Sequence, residues 1–136
     1  MNDQHLLVAL GEDRYALGIE WVCEVLRSSE GTAVPGAPPA VRGVLNLRGE
    51  LLPALETATL LGLAERDRSA PIVVVEAGAR RAGLAVRALI DVVSLPLGLE
   101  PSDRPLLLGS ALLDGALIGV VDVPALLETA SSGALA

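Results

Sequence analysis

The chain has 136 residues but no lysine and no phenylalanine, and it has one residue each of cysteine, histidine, tryptophan, tyrosine and methionine. Without lysine there is neither a P-loop lysine nor a Schiff-base lysine, so nucleotide hydrolysis is disfavoured. A Ser-His-Asp or Cys-His arrangement would have to use His5, close to the amino terminus. A metal site could draw on no more than one histidine and one cysteine ligand. We therefore expect no enzyme activity, no metal site and no cofactor.

The single cysteine, Cys23, makes an intrachain disulfide impossible, which fits a reducing cytoplasm. We interpret Cys23 as a small buried hydrophobe. The start of the chain, Met1–His5, lacks the basic region of a signal peptide, and no apolar run is long enough to span a bilayer. These features predict a cytoplasmic protein without direct membrane insertion.

Basic residues are also scarce, because the formal net charge is −7 and the ten basic residues, all arginine, are dispersed along the chain. Nucleic-acid binding needs a basic stripe, and attraction to anionic membranes needs basic clusters. Neither is present, so the sequence favours protein partners and predicts no nucleic-acid partner.

An internal repeat organises the chain. Gly43–Glu56 and Gly109–Asp122 are variants of one another at an offset of 66 positions, and Ala16–Leu26 matches Gly83–Val93 at an offset of 67. A fixed offset indicates one structural unit written twice. Two separate units of this size would each be marginally stable, so we expect the copies to share a core.

The core must be aliphatic, since hydrophobic residues make up 51% of the chain and aromatic residues only 1%. Alternating apolar residues and glycine-rich turns predict strands and hairpins, with a helical turn from Ile19 running into a strand. Arg48-Gly49 and Asp114-Gly115 are predicted as equivalent hairpin turns. The predicted strands are His5–Leu10, Tyr15–Gly18, Val41–Leu47, Leu51–Leu55 and Ile72–Glu76, and the predicted short helices are Ala58–Leu63 and Pro124–Thr129. Gly31–Pro39 is predicted as a surface loop, 64–71 as the linker between the copies, and Ala130–Ala136 as the tail.

Many short strands with an internal duplication point to two small β-barrels joined side by side. A parallel α/β sheet is disfavoured, because no amphipathic helices of about ten residues alternate with the strands. We expect a single domain over residues 1–136, with one subdomain at approximately 12–70 and another at approximately 71–124. The N-terminal strand and the C-terminal helix could cross between them.

The two copies differ at their hairpins. The first copy carries Asn46 and Arg48 where the second carries Leu112 and Asp114, while Gly49 is shared with the second copy. From spacing alone, Arg48 is either a solvated hairpin arginine or a residue with a function.

The stretch Pro38–Pro53, which contains GVLNLRG and a following proline, resembles the most specific segment of the CheW-like family, the adaptor proteins of bacterial chemosensory arrays. Gly18–Leu26, Ile72–Glu76, Gly83–Val86 and Asp114–Asp122 are similar to other segments of that family. The resemblance implies an all-β fold with short helices, built as two five-stranded SH3-like β-barrel subdomains that share a core.

The resemblance also implies a function. The protein would be a scaffold that couples the cytoplasmic tip of a chemoreceptor to the regulatory domain of a CheA-type histidine kinase, at membrane-associated receptor arrays. The kinase would contact the edge of one barrel, and receptor helices would lie in the apolar groove between the barrels, which suits an amphipathic helix. The alternative is a CheW-like module of another cytoplasmic pathway, such as pilus motility or polar positioning.

Carried over by position, the resemblance assigns protein binding to the hairpin, to an acidic residue associated with its arginine, to a groove position and to the facing wall in the second copy. The hairpin residues are Asn46, Arg48 and Gly49, the acidic residue is Glu24, the groove position is Val22, and the facing wall consists of Ala85 and Val86. An ion pair between Glu24 and Arg48 near the surface would contribute about 0–1 kcal/mol, so it would orient the arginine and add little stability.

Some residues stay open or depart from the family pattern. Trp21 is either a core residue or an exposed anchor in the groove. Arg80 and Arg81 are interpreted as a solvated hairpin tip. Ala54–Thr57 lacks the basic and aromatic features that the family has after its proline, which puts any partner contact there in doubt.

Overall fold

A computed structural model describes residues 3–27, 32–63, 71–96 and 98–131. These residues form ten β-strands and two short α-helices. The strands are β1 Gln4–Leu10, β2 Asp13–Gly18, β3 Val22–Leu26, β4 Val41–Leu47, β5 Glu50–Glu56, β6 Ile72–Ala77, β7 Arg80–Ala85, β8 Ala88–Ser94, β9 Leu107–Leu113 and β10 Ala116–Val121. The helices are α1 Thr57–Leu60 and α2 Val123–Ser131, and a 3₁₀ turn at Ile19–Trp21 leads into β3.

The mainly β architecture predicted from the sequence is confirmed, as are the helical turn before β3 and the two hairpin turns after β4 and β9. The first helix is shorter than expected, because α1 ends at Leu60 and the chain turns at Gly62 with a φ of 81°. Positive φ favours glycine and ends a helix. The predicted linker 64–71, apart from Pro71, and the end of the predicted tail, 132–136, lie outside the described residues.

The strands form two five-stranded sheets. Sheet I has the order β8-β1-β2-β10-β9, and sheet II has the order β3-β6-β7-β5-β4. Adding five to each strand number converts one order into the other, with β9 and β10 becoming β4 and β5. The parallel pairs also correspond, since β10 pairs with β2 and β5 pairs with β7. The repeat seen in the sequence is therefore a repeat of structure.

Neither sheet is built from one half of the chain. The hairpin β1–β2 of the first copy joins β8, β9 and β10 of the second, and the hairpin β6–β7 joins β3, β4 and β5 of the first. The subdomain boundaries expected from the repeat, 12–70 and 71–124, therefore do not coincide with the sheets, because each copy donates its first hairpin to the other. The hydrogen-bonded ladder of each sheet begins and ends on an edge strand, so the closure into barrels is not confirmed.

The core has three aliphatic clusters. A central cluster takes side chains from both sheets and from α2, and each sheet buries a second cluster of its own. Alternation along single strands separates them: Leu6 and Val8 of β1 belong to the central cluster, whereas Leu7 between them belongs to the cluster of sheet I. The sheets thus share one core, as the sequence predicts.

Candidate functional site

The hairpin between β4 and β5 places Arg48 at its tip in an unusual backbone conformation. Arg48 has a φ of 51° and Gly49 a φ of 89°, both in the left-handed region. Two consecutive positive φ values define the type I′ turn that matches strand twist, and Asn, Asp or Gly are preferred at its first position. The equivalent turn in the second copy uses Asp114 with a φ of 50°. Arginine at this position is therefore a local cost that the sister hairpin avoids.

Arg48 forms an ion pair with Glu24. One guanidinium nitrogen lies at hydrogen-bond distance from Glu24 Oε1, and the other donates to Oε2 at 3.5 Å. The Arg48 side chain remains 72% exposed, and that of Glu24 is 28% exposed. A pair so close to water contributes about 0–1 kcal/mol, so its effect is to hold the arginine in place over the edge strand β3.

Asn46 closes the same turn from the side. Its Oδ1 accepts a hydrogen bond at 3.0 Å from the backbone N–H of Gly49. The amide therefore fixes the turn that carries Arg48, and the structure brings Asn46, Arg48, Gly49 and Glu24 together as one group. We refer to these four residues as the hairpin site.

The remaining predicted site residues lie elsewhere. Val22 is partly buried and packs against the central cluster. Ala85 and Val86 are 3% and 2% exposed, and they contribute to the sheet II cluster and the central cluster respectively. In this structure their side chains are core residues and offer little surface to a partner, so a direct contact with receptor helices is not supported for them.

A row of polar side chains crosses one end of sheet II beside the hairpin site. Arg81 of β7 forms an ion pair with Glu50 of β5, and it faces Glu76 of β6 across the strand ladder. Cys23 of β3 completes the row, with its Sγ 3.7 Å from Glu76 Oε2. Arg80 is exposed, whereas Arg81 is only partly exposed and ion-paired, so Arg81 departs from the interpretation of both residues as a solvated hairpin tip.

The expectation that Cys23 is buried is also wrong, because the residue is exposed. Its strand is at the edge of sheet II, and the register of β3 against β6 shifts between Val22 and Glu24. Such a bulge leaves the residue between them unpaired and turns it outward.

Desolvation, together with the nearby carboxylate of Glu76, raises the pKa of the Cys23 thiol above its ordinary value. A raised pKa means less thiolate near neutral pH, and the thiolate is the nucleophile. We therefore expect Cys23 to react with iodoacetamide more slowly than a free cysteine at pH 8. Glu76→Gln should increase the rate at that pH, whereas Arg81→Gln should lower it, since the arginine opposes the carboxylate. Equal rates for all three proteins would contradict this assignment.

The second copy carries leucine at two exposed positions, Leu108 and Leu112, where the first copy has Arg42 and Asn46, and the exposed Leu117 corresponds to the exposed Leu51. Leu112 and Leu117 lie directly opposite each other on β9 and β10, and they are 68% and 66% exposed. Leu108, on the same strand as Leu112, is 58% exposed. We call these three residues the leucine face. Sequence analysis missed it, although the contrast between Leu112 and Asn46 in the aligned copies was the signal that could have found it.

Among the described residues, no group of three or more His, Cys, Asp and Glu side chains is placed to hold a metal ion. Of the helices within those ranges, none has the length and apolar character needed to cross a bilayer.

Nearly the whole chain is similar to proteins of one family. The family model of the CheW-like domain matches residues 4–131. The chain belongs to the CheW-like family. Its CheW-like relatives include the probable chemotaxis protein CheW of Rhizobium etli, 29% identical over 98% of this chain and 93% of that protein. The chemotaxis protein CheW of Rhizobium meliloti is 33% identical over 63% of this chain and 57% of its own length.

A solved CheW structure has the same fold. The crystal structure of the scaffolding protein TtCheW from Thermoanaerobacter tengcongensis superposes with a TM-score of 0.81 at 28% sequence identity. The superposition covers 89% of this chain and 84% of that one. The sequence-based recognition of a CheW-like protein is thereby confirmed, together with the fold class of two five-stranded sheets.

Proposed function

We propose that this CheW-like protein is a non-enzymatic cytoplasmic adaptor in bacterial chemotaxis, coupling chemoreceptors to a CheA-type histidine kinase. Relatives named as chemotaxis proteins and a structural neighbour named as a scaffolding protein support this role. The finer proposal is that the hairpin site contacts the partner. The partner that we propose for this site is the regulatory domain of the kinase, which would bind at the edge of the sheets. The receptor helices would bind against an apolar surface.

The observation that carries this proposal is the conformation of Arg48. Asn, Asp or Gly would occupy its left-handed position at lower cost, and the sister hairpin has Asp114 there. Strain retained at an exposed residue suggests a function for the side chain, because the fold gains nothing from it. With 72% of its side chain exposed and one carboxylate holding it, the guanidinium remains available to further acceptors.

We expect Arg48→Glu to weaken binding to the regulatory domain of the CheA-type kinase about tenfold or more. The reason is that the variant loses a charge-assisted contact and gains a negative charge beside the carboxylate of Glu24. The matched variant Arg48→Asn keeps the left-handed turn and removes the guanidinium group without adding a charge, so it should also weaken binding while leaving the melting temperature unchanged or slightly higher. Calorimetric titration of each variant against the kinase domain, with a thermal melt in parallel, measures both effects.

A fall in melting temperature of several degrees for Arg48→Asn would make Arg48 structural and contradict the proposal.

Leu112→Asn places the residue of the first copy into the leucine face, and it tests whether that surface contributes to the same complex. If the unmodified protein does not bind the kinase domain at high micromolar concentration, the adaptor proposal fails in favour of a CheW-like module with other partners.

A further inference from the structure

A cleft of about 220 Å³ lies at one end of sheet I, on the other sheet from the hairpin site. Its floor is apolar, formed by Leu95, Val120 and Val121, which are at most 2% exposed. Trp21 forms part of the wall, and this residue is only partly buried against the central cluster. The indole therefore packs on the core and also faces the cleft, and its role as a partner-binding anchor stays a prediction.

Within the described ranges, the polar side chains that line this cleft include two carboxylates and no side chain with a permanent positive charge. Asp3 and Glu20 contribute exposed carboxylates, and His5 contributes its ring. The His5 Nδ1 lies 2.8 Å from the carbonyl oxygen of Asp3. A carbonyl can only accept, so Nδ1 is the donor in this contact. Among the described lining residues there is no lysine or arginine to neutralise these groups.

This combination selects a particular kind of ligand group. An apolar floor with two carboxylates at its rim complements a side chain that has an apolar stem and a cationic, donor-rich head. An indole wall favours a planar guanidinium, which stacks on aromatic faces and is more weakly hydrated than an ammonium group. The net charge of −7 also attracts a basic segment over a longer range.

We propose that the cleft formed around Trp21, Asp3 and Glu20 is a second protein-binding site, which takes an arginine flanked by aliphatic residues from a partner protein. The site goes beyond the proposed adaptor contact at Arg48, because no residue of the hairpin site lines it. It gives the protein a second attachment point on sheet I, separate from the hairpin site on sheet II, and it shares Leu108 with the leucine face.

The test uses the full chain and the emission of Trp21, the only tryptophan. The probe is the peptide acetyl-Leu-Arg-Leu-amide, and the matched control has citrulline in place of arginine, which keeps the shape and removes the charge. We expect a saturable change in emission with the arginine peptide and at least about threefold weaker binding of the citrulline peptide, as loss of a charge-assisted hydrogen bond at an exposed rim predicts.

The double variant Asp3→Asn with Glu20→Gln should weaken binding of the arginine peptide by a similar factor, and added salt should weaken it as well. Both side chains are exposed, so the variant should melt at the same temperature as the parent protein. Arg48→Glu should leave peptide binding unchanged, which separates this proposal from the one on the hairpin site. Equal binding of the two peptides, equal binding by the double variant, or no saturable change at millimolar peptide would each overturn the proposal.

Discussion

Replacing Arg42 by alanine is expected to lower the free energy of unfolding by about 3–5 kcal/mol, the range seen when one partner of a buried ion pair is removed. Arg42 Nε donates to Glu56 Oε1 at 2.5 Å, and Nη2 donates to Oε2 at 3.3 Å. The two side chains are only 15% and 10% exposed. Without the guanidinium, the Glu56 carboxylate would stay largely buried without the partner that compensates its desolvation. Chemical denaturation of the variant and its parent measures the difference.

The matched control removes both charges. A double variant, Arg42→Leu with Glu56→Leu, should recover most of the loss, because apolar residues of similar size often replace a buried pair at little cost. The cycle formed with the two single variants gives the coupling energy directly. A loss of less than about 1 kcal/mol for Arg42→Ala would mean that the pair behaves like a surface ion pair, and the assignment would be wrong.

This buried pair also bears on the hairpin site. Arg42 is the second residue of β4 and Glu56 is the last residue of β5, so the pair closes the base of the hairpin whose tip carries Arg48. The second copy has Leu108 and Asp122 at the equivalent positions, and Asp122 instead accepts a hydrogen bond from the backbone N–H of Ala125 in α2. The hairpin with the strained arginine is thus the one that is clamped at its base.

Much of the fold follows from the sequence because the repeat preserves turn chemistry. Arg48-Gly49 and Asp114-Gly115 keep the glycine that a type I′ turn requires, and the structure places positive φ values at all four residues. The sequence allowed the N-terminal strand to cross between the copies, but the exchange of whole hairpins was not predicted. Local patterns show where strands begin and end, whereas long-range packing selects the partner of each strand.

The candidate site was predictable in its polar members and less so in its apolar ones. Glu24 and Arg48 lie far apart in the sequence, and they were paired by family resemblance, which the ion pair now supports in geometry. Ala85 and Val86 were assigned to a groove wall, yet hydrophobicity alone does not tell a wall residue from a core residue, and both are buried. Cys23 was assigned to the core for the same reason, and a bulge in β3 turns it outward.

Gly43→Ala is expected to cost about 2–4 kcal/mol, from overpacking together with the loss of two backbone hydrogen bonds. A Cβ at Gly43 would overlap the carbonyl group of Thr32, with its carbonyl carbon only 2.8 Å away. That carbonyl accepts from the Val44 N–H at 2.9 Å, and the Thr32 N–H donates to the Val44 oxygen at 2.9 Å. The obstacle is backbone, which cannot rotate aside as a side chain can. The segment that covers the outer edge of β4 must therefore detach.

Denaturation gives the cost of Gly43→Ala, and hydrogen exchange at Thr32 and Val44 shows whether the covering segment has detached. Gly49→Ala is the matched control in the same hairpin: its φ of 89° is unfavourable for alanine, but a Cβ there would meet nothing within 4 Å, so only about 1 kcal/mol is expected. The equivalent glycine in sheet I should respond like Gly43, because a Cβ at Gly109 would lie 2.5 Å from the Glu100 carbonyl oxygen.

If Gly43→Ala costs no more than Gly49→Ala, and exchange at Thr32 and Val44 is unchanged, the segment does not pack on β4 as described. Since an uncovered edge strand exposes free N–H and C=O groups, Gly43→Ala should also make the protein more prone to self-association, which light scattering would detect.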